Sequence, residues 1–541
     1  MITFLKKPRS YAFIKLVLST SVIAVCLFHQ SSFALATGTW TRLSSDGPNM
    51  PIGVAKGIFP GRVVMARDST AITFNGSGNW WDPQYNNQAL IDSMLIKDLK
   101  SLSGKSAMTE VWDTLFRFYN QKHNKTSGYV KGEKIAIKVN QNQLRWDPNS
   151  LNGSPELILS LLKQLINVVG VAQSDIFVYD AGRPDASDIQ YIKDYCNSFP
   201  NVNFNNIGGF TNDLVQYSPN SVTSITSENF KRLSNCVVNA AYIISMPLLK
   251  RHCEPSDDWS TNNGNASVSM VFKSHVGDFN EPYLDSTIES FHEGFRDWKR
   301  SGPSYNLLVD LESNPNLGGK TFLYILDGLY SGNRYDSHPI QWALFGNKYP
   351  AMILASQDPV ALESVGIDFM YAEWKDFGDN NFALVSNADN HLHEAALIGN
   401  PPSGTNYVQK SLVSLGAHEH WNNSKDKKYS RNLGTGNGIE FVQVNQKVIV
   451  NVAVPNKTAT MPNEISVRKT AAGFVLAVPH AVDGLVITVA DIQGKILSRK
   501  SVSAMGAGLV PLTVKSSGAL IISVECNGNK VITQKVVAVN R

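Results

Sequence analysis

The sequence predicts an α/β protein, with a mostly parallel sheet flanked by helices and a small C-terminal β-sandwich after it. Three observations predict this. Apolar strand patterns alternate with amphipathic helix patterns through the middle of the chain. Residues 133–180 read as strand, helix, strand, and that spacing makes a βαβ unit with parallel strands. The last ~80 residues change to short alternating strands punctuated by glycine, a sandwich signature.

The elements follow in chain order. Helices are expected over Asn87–Leu102 and Ala107–Tyr119. Glu133–Val139 alternates Ile135, Ile137 and Val139 with other residues, as a strand does. Ser154-Pro155-Glu156 opens a helix with a cap, a proline in the first turn and an acid near the positive end. Leu157, Ile158, Leu161, Leu162, Leu165 and Ile166 form its apolar face, and Gly170 ends it. Asp175–Asp180 is the next strand. Tyr242–Met246, Phe322–Asp327 and Ala351–Ala355 read as buried strands. Ile288–Arg300 is a helix candidate, with acids early and Arg296, Lys299 and Arg300 late. Asp358-Pro359 caps and starts a helix running to about Trp374. Pro455–Pro462 reads as a linker. Strands then follow at Gly473–Val478, Leu485–Asp491, Lys495–Val502, Leu509–Val514, Ala519–Cys526 and Val531–Val539.

The first 36 residues read as a cleavable secretory signal peptide. Lys6, Lys7, Arg9 and Lys15 precede the apolar run Leu16–Phe28, which is shorter than the ~20 residues a bilayer span needs. Ala34-Leu35-Ala36 supplies the small-x-small cleavage pattern. The expected organisation is a signal peptide over 1–36, an α/β domain over 37–454, a linker over 455–462 and a β-sandwich tail over 463–541. The chain carries +4 overall, and the leader contributes four positive charges and no negative one, so the mature protein is near neutral. No basic field argues for nucleic acid. No later run is long enough to span a membrane. Cys196, Cys236, Cys253 and Cys526 are scattered without a Cys-x-x-Cys pair, so no iron–sulfur cluster is expected.

Open α/β sheets bind ligands beyond the carboxyl ends of their strands. The residues expected there are Lys138 and Asn140, then Asp180 and Arg183, then Lys250 and His252, then Asp327 and Asp358. The segment Ser267–Gly277 adds Lys273 and His275. Lys138, Asn140, Asp180, Lys250, His252, Lys273 and Asp327 form the candidate catalytic set. The lysines suit carboxylate or phosphate oxygens, and a lysine among other cations suits a base or imine-forming amine. Asp180, Asp327, His252 and His275 suit a divalent metal or proton movement. The sequence does not choose between them, so the cofactor stays unknown, with a divalent metal as one option. Two further histidine groups compete: His391 and His393 with Glu394, and His418-Glu419-His420. In a strand, His418 and His420 share one face. Neither group has the spacing of a known metal motif, and no Gly-x-Ser-x-Gly elbow is present.

GEKIAIKVNQN (132–142), IFVYDAGRP (176–184), AAYIISMPLLKRH (240–252), SVSMVFKSHVG (267–277), YILDGLY (324–330) and ILASQDPVALESVGIDFM (353–370) together resemble the bacterial family known as domain of unknown function 362, over about 61–404. The family's Lys-x-Asn is matched by Lys138 and Asn140, and its Lys-x-His by Lys250 and His252. Where the family usually has Lys-Asn, this chain has Lys273-Ser274. Many relatives carry ferredoxin-type cysteine motifs, and this chain carries none. The tail, through ADIQGKILSRKSV (490–502) and VECNGNKVITQKVVAV (524–539), resembles C-terminal sorting domains of the type IX secretion pathway. That resemblance implies the secretion machinery as a partner and delivery through the periplasm to the cell surface or medium. The leading expectation is an exported enzyme acting on a small anionic substrate. The alternative is a non-catalytic surface protein that binds an anionic ligand or glycan, with stacking surfaces drawn from Trp80, Trp81, Trp259 and Trp298, most of which are expected in the core.

Overall fold

The computed structural model describes residues 47–141, 147, 149–182, 189–214, 232–252, 268, 270–279, 305–377 and 388–444 of one compact unit. In a second it describes 466–470, 473–478, 482–491, 495–505, 508–512, 518–526 and 529–538. The units divide between Lys447 and Val448. The expected leader and linker, the helix candidate at Ile288–Arg300, Arg183, Cys253, Trp259 and Trp298 lie outside the described residues.

The first unit opens with β1 (Ile52–Gly53) and β2 (Arg62–Arg67), then α1 (Gln88–Ser103) and α2 (Met108–Lys122). Next come β3 (Ile135–Val139), α3 (Pro155–Gln164), β4 (Ile176–Tyr179), α4 (Gln190–Tyr195) and β5 (Asn203–Phe204). After a small ladder of β6 (Phe210–Leu214) and β7 (Arg232–Ser234) come α5 (Asn235–Asn239), β8 (Tyr242–Met246), β9 (Leu248–Lys250) and α6 (Val271–Ser274). The unit closes with α7 (Leu307–Ser313), β10 (Thr321–Gly332), β11 (Met352–Ser356), α8 (Pro359–Tyr371), α9 (Asn390–Ala396), β12 (Ala417–His418), α10 (Ser430–Leu433) and β13 (Glu440–Val444).

The main sheet runs β13-β2-β11-β10-β8-β3-β4-β5, with β9 also on β10. Every pairing is parallel except β10–β11 and β11–β2, so β11 alone runs against the rest. The expected parallel sheet with flanking helices is therefore present, with one reversed strand. Helices cover both faces, as buried parallel strands require. On one face Ile135, Ile137 and Val139 of β3 meet Ile91, Leu95 and Leu99 of α1, Leu115 and Phe116 of α2, and Leu157 and Leu161 of α3. On the other, Ala136 packs in a cluster with Val271 of α6, Leu307 and Leu311 of α7, and Val365 and Phe369 of α8. The period-2 alternation of β3 sends Lys138 to that second face. The helix from Pro155 ends in a π turn at Val169, and Gly170 adopts φ 82°, the left-handed cap conformation.

In the second unit, β14 (Ser466–Thr470), β15 (Gly473–Val478) and β18 (Gly508–Leu512) form one antiparallel sheet. Strands β16 (Val482–Asp491), β17 (Ile496–Met505), β19 (Gly518–Cys526) and β20 (Asn529–Ala538) form the other. Leu476, Val478, Val510 and Leu512 of the first meet Leu485, Ile487, Leu520, Ile522 and Val524 of the second in one core. Among the described residues, no helix is long and apolar enough to cross a membrane.

Candidate functional site

The parallel strands bring most of the expected set to one region. Lys138, at the end of β3, is 2% exposed, not the solvated strand-end lysine its position allows. Its Nζ donates to the carbonyl of Val139 at 2.8 Å and sits 3.5 Å from Asp180 Oδ1. Asp180 follows β4, and its Oδ2 accepts the Gln141 N–H at 2.9 Å. Gly277 closes over this pair. A Cβ there would lie 2.1 Å from Asp180 Oδ1 and 2.7 Å from Lys138 Nζ, so a side chain at 277 would push the pair apart. The Gly277 carbonyl accepts the N–H groups of Ala181 and Gly182, tying the turn after β4 to the segment carrying Lys273.

Lys250 ends β9 and is wholly buried. Its Nζ donates to two backbone carbonyls, Leu151 at 3.0 Å and Tyr335 at 2.7 Å. Burial first, and Lys273 second, push its pKa down to about 7, against the pull of Asp336 and Asp180. Lys273 on α6 is itself buried. His252 is buried, its carbonyl accepts the Tyr335 N–H at 2.7 Å, and its ring lies 5.6 Å from that of Tyr335. The residue between them, Arg251, is buried too and has its guanidinium 5.6 Å from the Trp374 ring. The Asn140 carbonyl accepts the Gly153 N–H at 2.9 Å. Its side-chain Oδ1 is buried with no hydrogen-bond partner among the described residues.

Asp327 does something else. It lies midway along β10, and its two oxygens accept the N–H groups of Ser154 at 2.9 Å and Leu329 at 3.1 Å. It thereby fixes the loop that presents the Leu151 carbonyl to Lys250. Burial raises its pKa.

Two expectations need correction. Asp358 does not join the set, because β11 is antiparallel and its carboxyl end lies at the opposite edge, level with the start of β10. There it caps α8 by accepting the Ala361 N–H, the cap that Asp358-Pro359 predicts. His275 does not join a metal set with Asp180, Asp327 and His252, because its ring is held by two carboxylates. Asp278 Oδ2 lies 2.5 Å from Nδ1, and Glu312 Oε2 lies 3.1 Å from Nε2. Burial alone would depress its pKa, but these carboxylates outweigh it and raise it to about 9. Tyr179 donates to Asp278 and Tyr324 to Glu312, which completes a buried chain under the sheet. Trp80 is fully buried core, and Trp81 is half-buried against Tyr191. Cys196 and Cys236 are buried free thiols, with pKa values raised to about 12 by burial.

Sequence reasoning missed the Leu151 and Tyr335 carbonyls, because backbone acceptors carry no residue signal. It also missed Asp278, although three residues after His275 on a helical turn is a spacing that places two side chains together.

Comparison with protein-family models gives no match, and comparison with curated proteins gives none. Among solved structures, an Amycolatopsis orientalis exo-chitosanase in complex with PNP-β-D-glucosamine aligns at 11% identity with a TM-score of 0.14. The alignment covers 92% of this chain and 50% of the chitosanase chain, so this chain spans about half of that protein's length. At that TM-score the likeness carries no argument about fold or function.

Proposed function

We propose that the protein is an exported enzyme acting on a small anionic substrate at the carboxyl edge of β3, β4 and β9. One observation carries the reading, the environment of Lys250. A neutral amine has two N–H groups and one lone pair. Both N–H groups have acceptors here, the carbonyls of Leu151 and Tyr335. The lone pair then points away from both carbonyls, and a pKa near 7 makes the neutral form abundant at neutral pH. Lys250 is the proton acceptor or imine-forming amine of this reading. Lys138 and Lys273 hold substrate oxygens, Asp180 positions Lys138, and Asn140 Oδ1 is an acceptor awaiting a donor. His252 lines the same edge, and Asp327 acts through the 151–154 loop as a positioning residue. The leader over 1–36 and the tail resembling a sorting domain support secretion to the surface or medium.

The test is a turnover and thermal-shift screen of the purified protein against small carboxylates and phosphate monoesters. Lys250→Ala and His252→Ala should each abolish turnover of the best substrate while the far-UV spectrum stays native. Stabilisation by a ligand without product, in the parent protein, would establish the binding-protein alternative instead. Unchanged activity and ligand response in both variants would remove this edge as the site. N-terminal sequencing of protein from the medium should begin at Thr37.

A further inference from the structure

We propose that Asp389, His418 and His420 bind one divalent transition-metal ion, at a centre sharing no residue with the lysine set. Asp389 directly precedes α9, His418 ends β12, and His420 lies two residues further on. The three side chains are at most 1% exposed, and one donor atom from each lies within 4.8 Å of the others. Among the described residues, no other group of three His, Cys, Asp or Glu meets that criterion.

Two donor atoms in this group are buried without a hydrogen-bond partner, His418 Nε2 and Asp389 Oδ1. Leaving such atoms unpaired is costly, and each calls for an explanation. The neighbours fix which atom of each ring is offered. Ser364 Oγ donates its one proton to the Val360 carbonyl at 2.7 Å, so at 2.8 Å it must accept from His418 Nδ1. His418 therefore carries its proton on Nδ1 and presents a bare Nε2 lone pair. Asp368 acts on His420 in the same way. Its Oδ2 accepts from the Trp421 N–H and the Tyr429 hydroxyl, both at 2.9 Å. Its Oδ1 accepts from His420 Nδ1 at 2.7 Å, and without a metal the His420 Nε2–H donates to Asp389 Oδ2 at 2.9 Å, a proton that a bound cation would displace. A carboxylate or hydroxyl behind each imidazole, with the far nitrogen turned inward, is the outer-sphere arrangement of histidine metal ligands.

Ser364 and Asp368 stand four residues apart on α8, so one helix face supports both rings. The charges also close, since a dication offsets the Asp389 and Asp368 carboxylates in a site without solvent. Zinc ligands at ~2.1 Å place donors about 3.4 Å apart, so binding widens the 2.9 Å His420–Asp389 pair slightly and draws any wider-spaced donors together. Two imidazoles and a carboxylate suit zinc or iron(II), not magnesium or calcium.

Elemental analysis of the purified full chain tests this. About one equivalent of zinc or iron should remain after dialysis against a weak chelator. His418→Gln and Asp389→Asn should each retain less than about a tenth of that, while Lys250→Ala retains all of it. Ser364→Ala removes no ligand and leaves the core filled. It should fold and lose about 10- to 100-fold in affinity, read by competition with a chromophoric chelator. Cobalt(II) exchange should give the visible bands of low-coordinate imidazole-bound cobalt. A parent protein that takes up no zinc, iron or cobalt overturns the proposal. So does full metal retention in both ligand variants, or unchanged affinity in Ser364→Ala. None of these readouts depends on turnover at Lys250.

Discussion

Lys250 shows how one residue links burial, charge and chemistry. In the unfolded chain its ammonium persists to pH about 10.5, whereas in the folded protein it persists only to about 7. Between those values the unfolded state binds the additional proton, so this residue makes folding more favourable as pH rises from 7 towards 10.5. Denaturant titrations at pH 7 and 9 should show that gain, on the order of 2–3 kcal/mol, and Lys250→Met should erase it. A bound anion reverses the preference, because it favours the ammonium. Affinity for an anionic ligand should therefore fall up to tenfold per pH unit above 7, measured by calorimetry from pH 6 to 9. The residue types at this edge were legible because strand carboxyl ends gather in a parallel sheet. Their burial was not, because it depends on Leu151, Tyr335 and Gly277, which meet Lys138 and Lys250 only through tertiary contacts.

At the scale of elements, the βαβ unit over β3, α3 and β4 could be read directly, since its periods and caps are local. The direction of β11 could not, because the pattern of buried residues in MILAS is the same for either orientation. That reversal moves α8 and its cap. Asp358 accepts three backbone N–H groups, from Ala361, Lys56 and Ala417, and so ties β1 and β12 to the start of the helix that supports His418 and His420. Asp358→Ala removes a helix cap worth ~1 kcal/mol and strands two further donors, for a total cost of about 3 kcal/mol by chemical denaturation. Asp358→Asn keeps an acceptor and should cost about half of that. Asp389 was passed over because it lies some 30 positions before the two histidines; its role depends on α9 and β12 packing together.

Across the whole molecule, the two units have separate cores. The clusters of the first include nothing beyond Val444, and that of the second includes nothing before Val467. A chain ending at Lys447 should therefore keep the parent's main calorimetric transition within a few degrees, with the second unit's transition missing. Its metal content should be unchanged. Loss of the main transition would show that the first unit depends on the second. The change from helix-period to strand-period patterning made the C-terminal antiparallel region visible in the sequence.

The β2–β13 pairing has a further consequence. Arg62 and Glu440 bind through two nitrogen–oxygen contacts, at 2.7 and 3.1 Å, across a sequence separation of 378. Synthesis proceeds from the amino end, so β2 emerges early and its outer edge stays unpaired until β13, the last strand of the unit, arrives. Until then the chain carries an open template for pairing with another copy. The order in which the strands appear thus makes β13 a latch. Its closure satisfies β2 on both sides and moves that edge of the sheet to β13 itself.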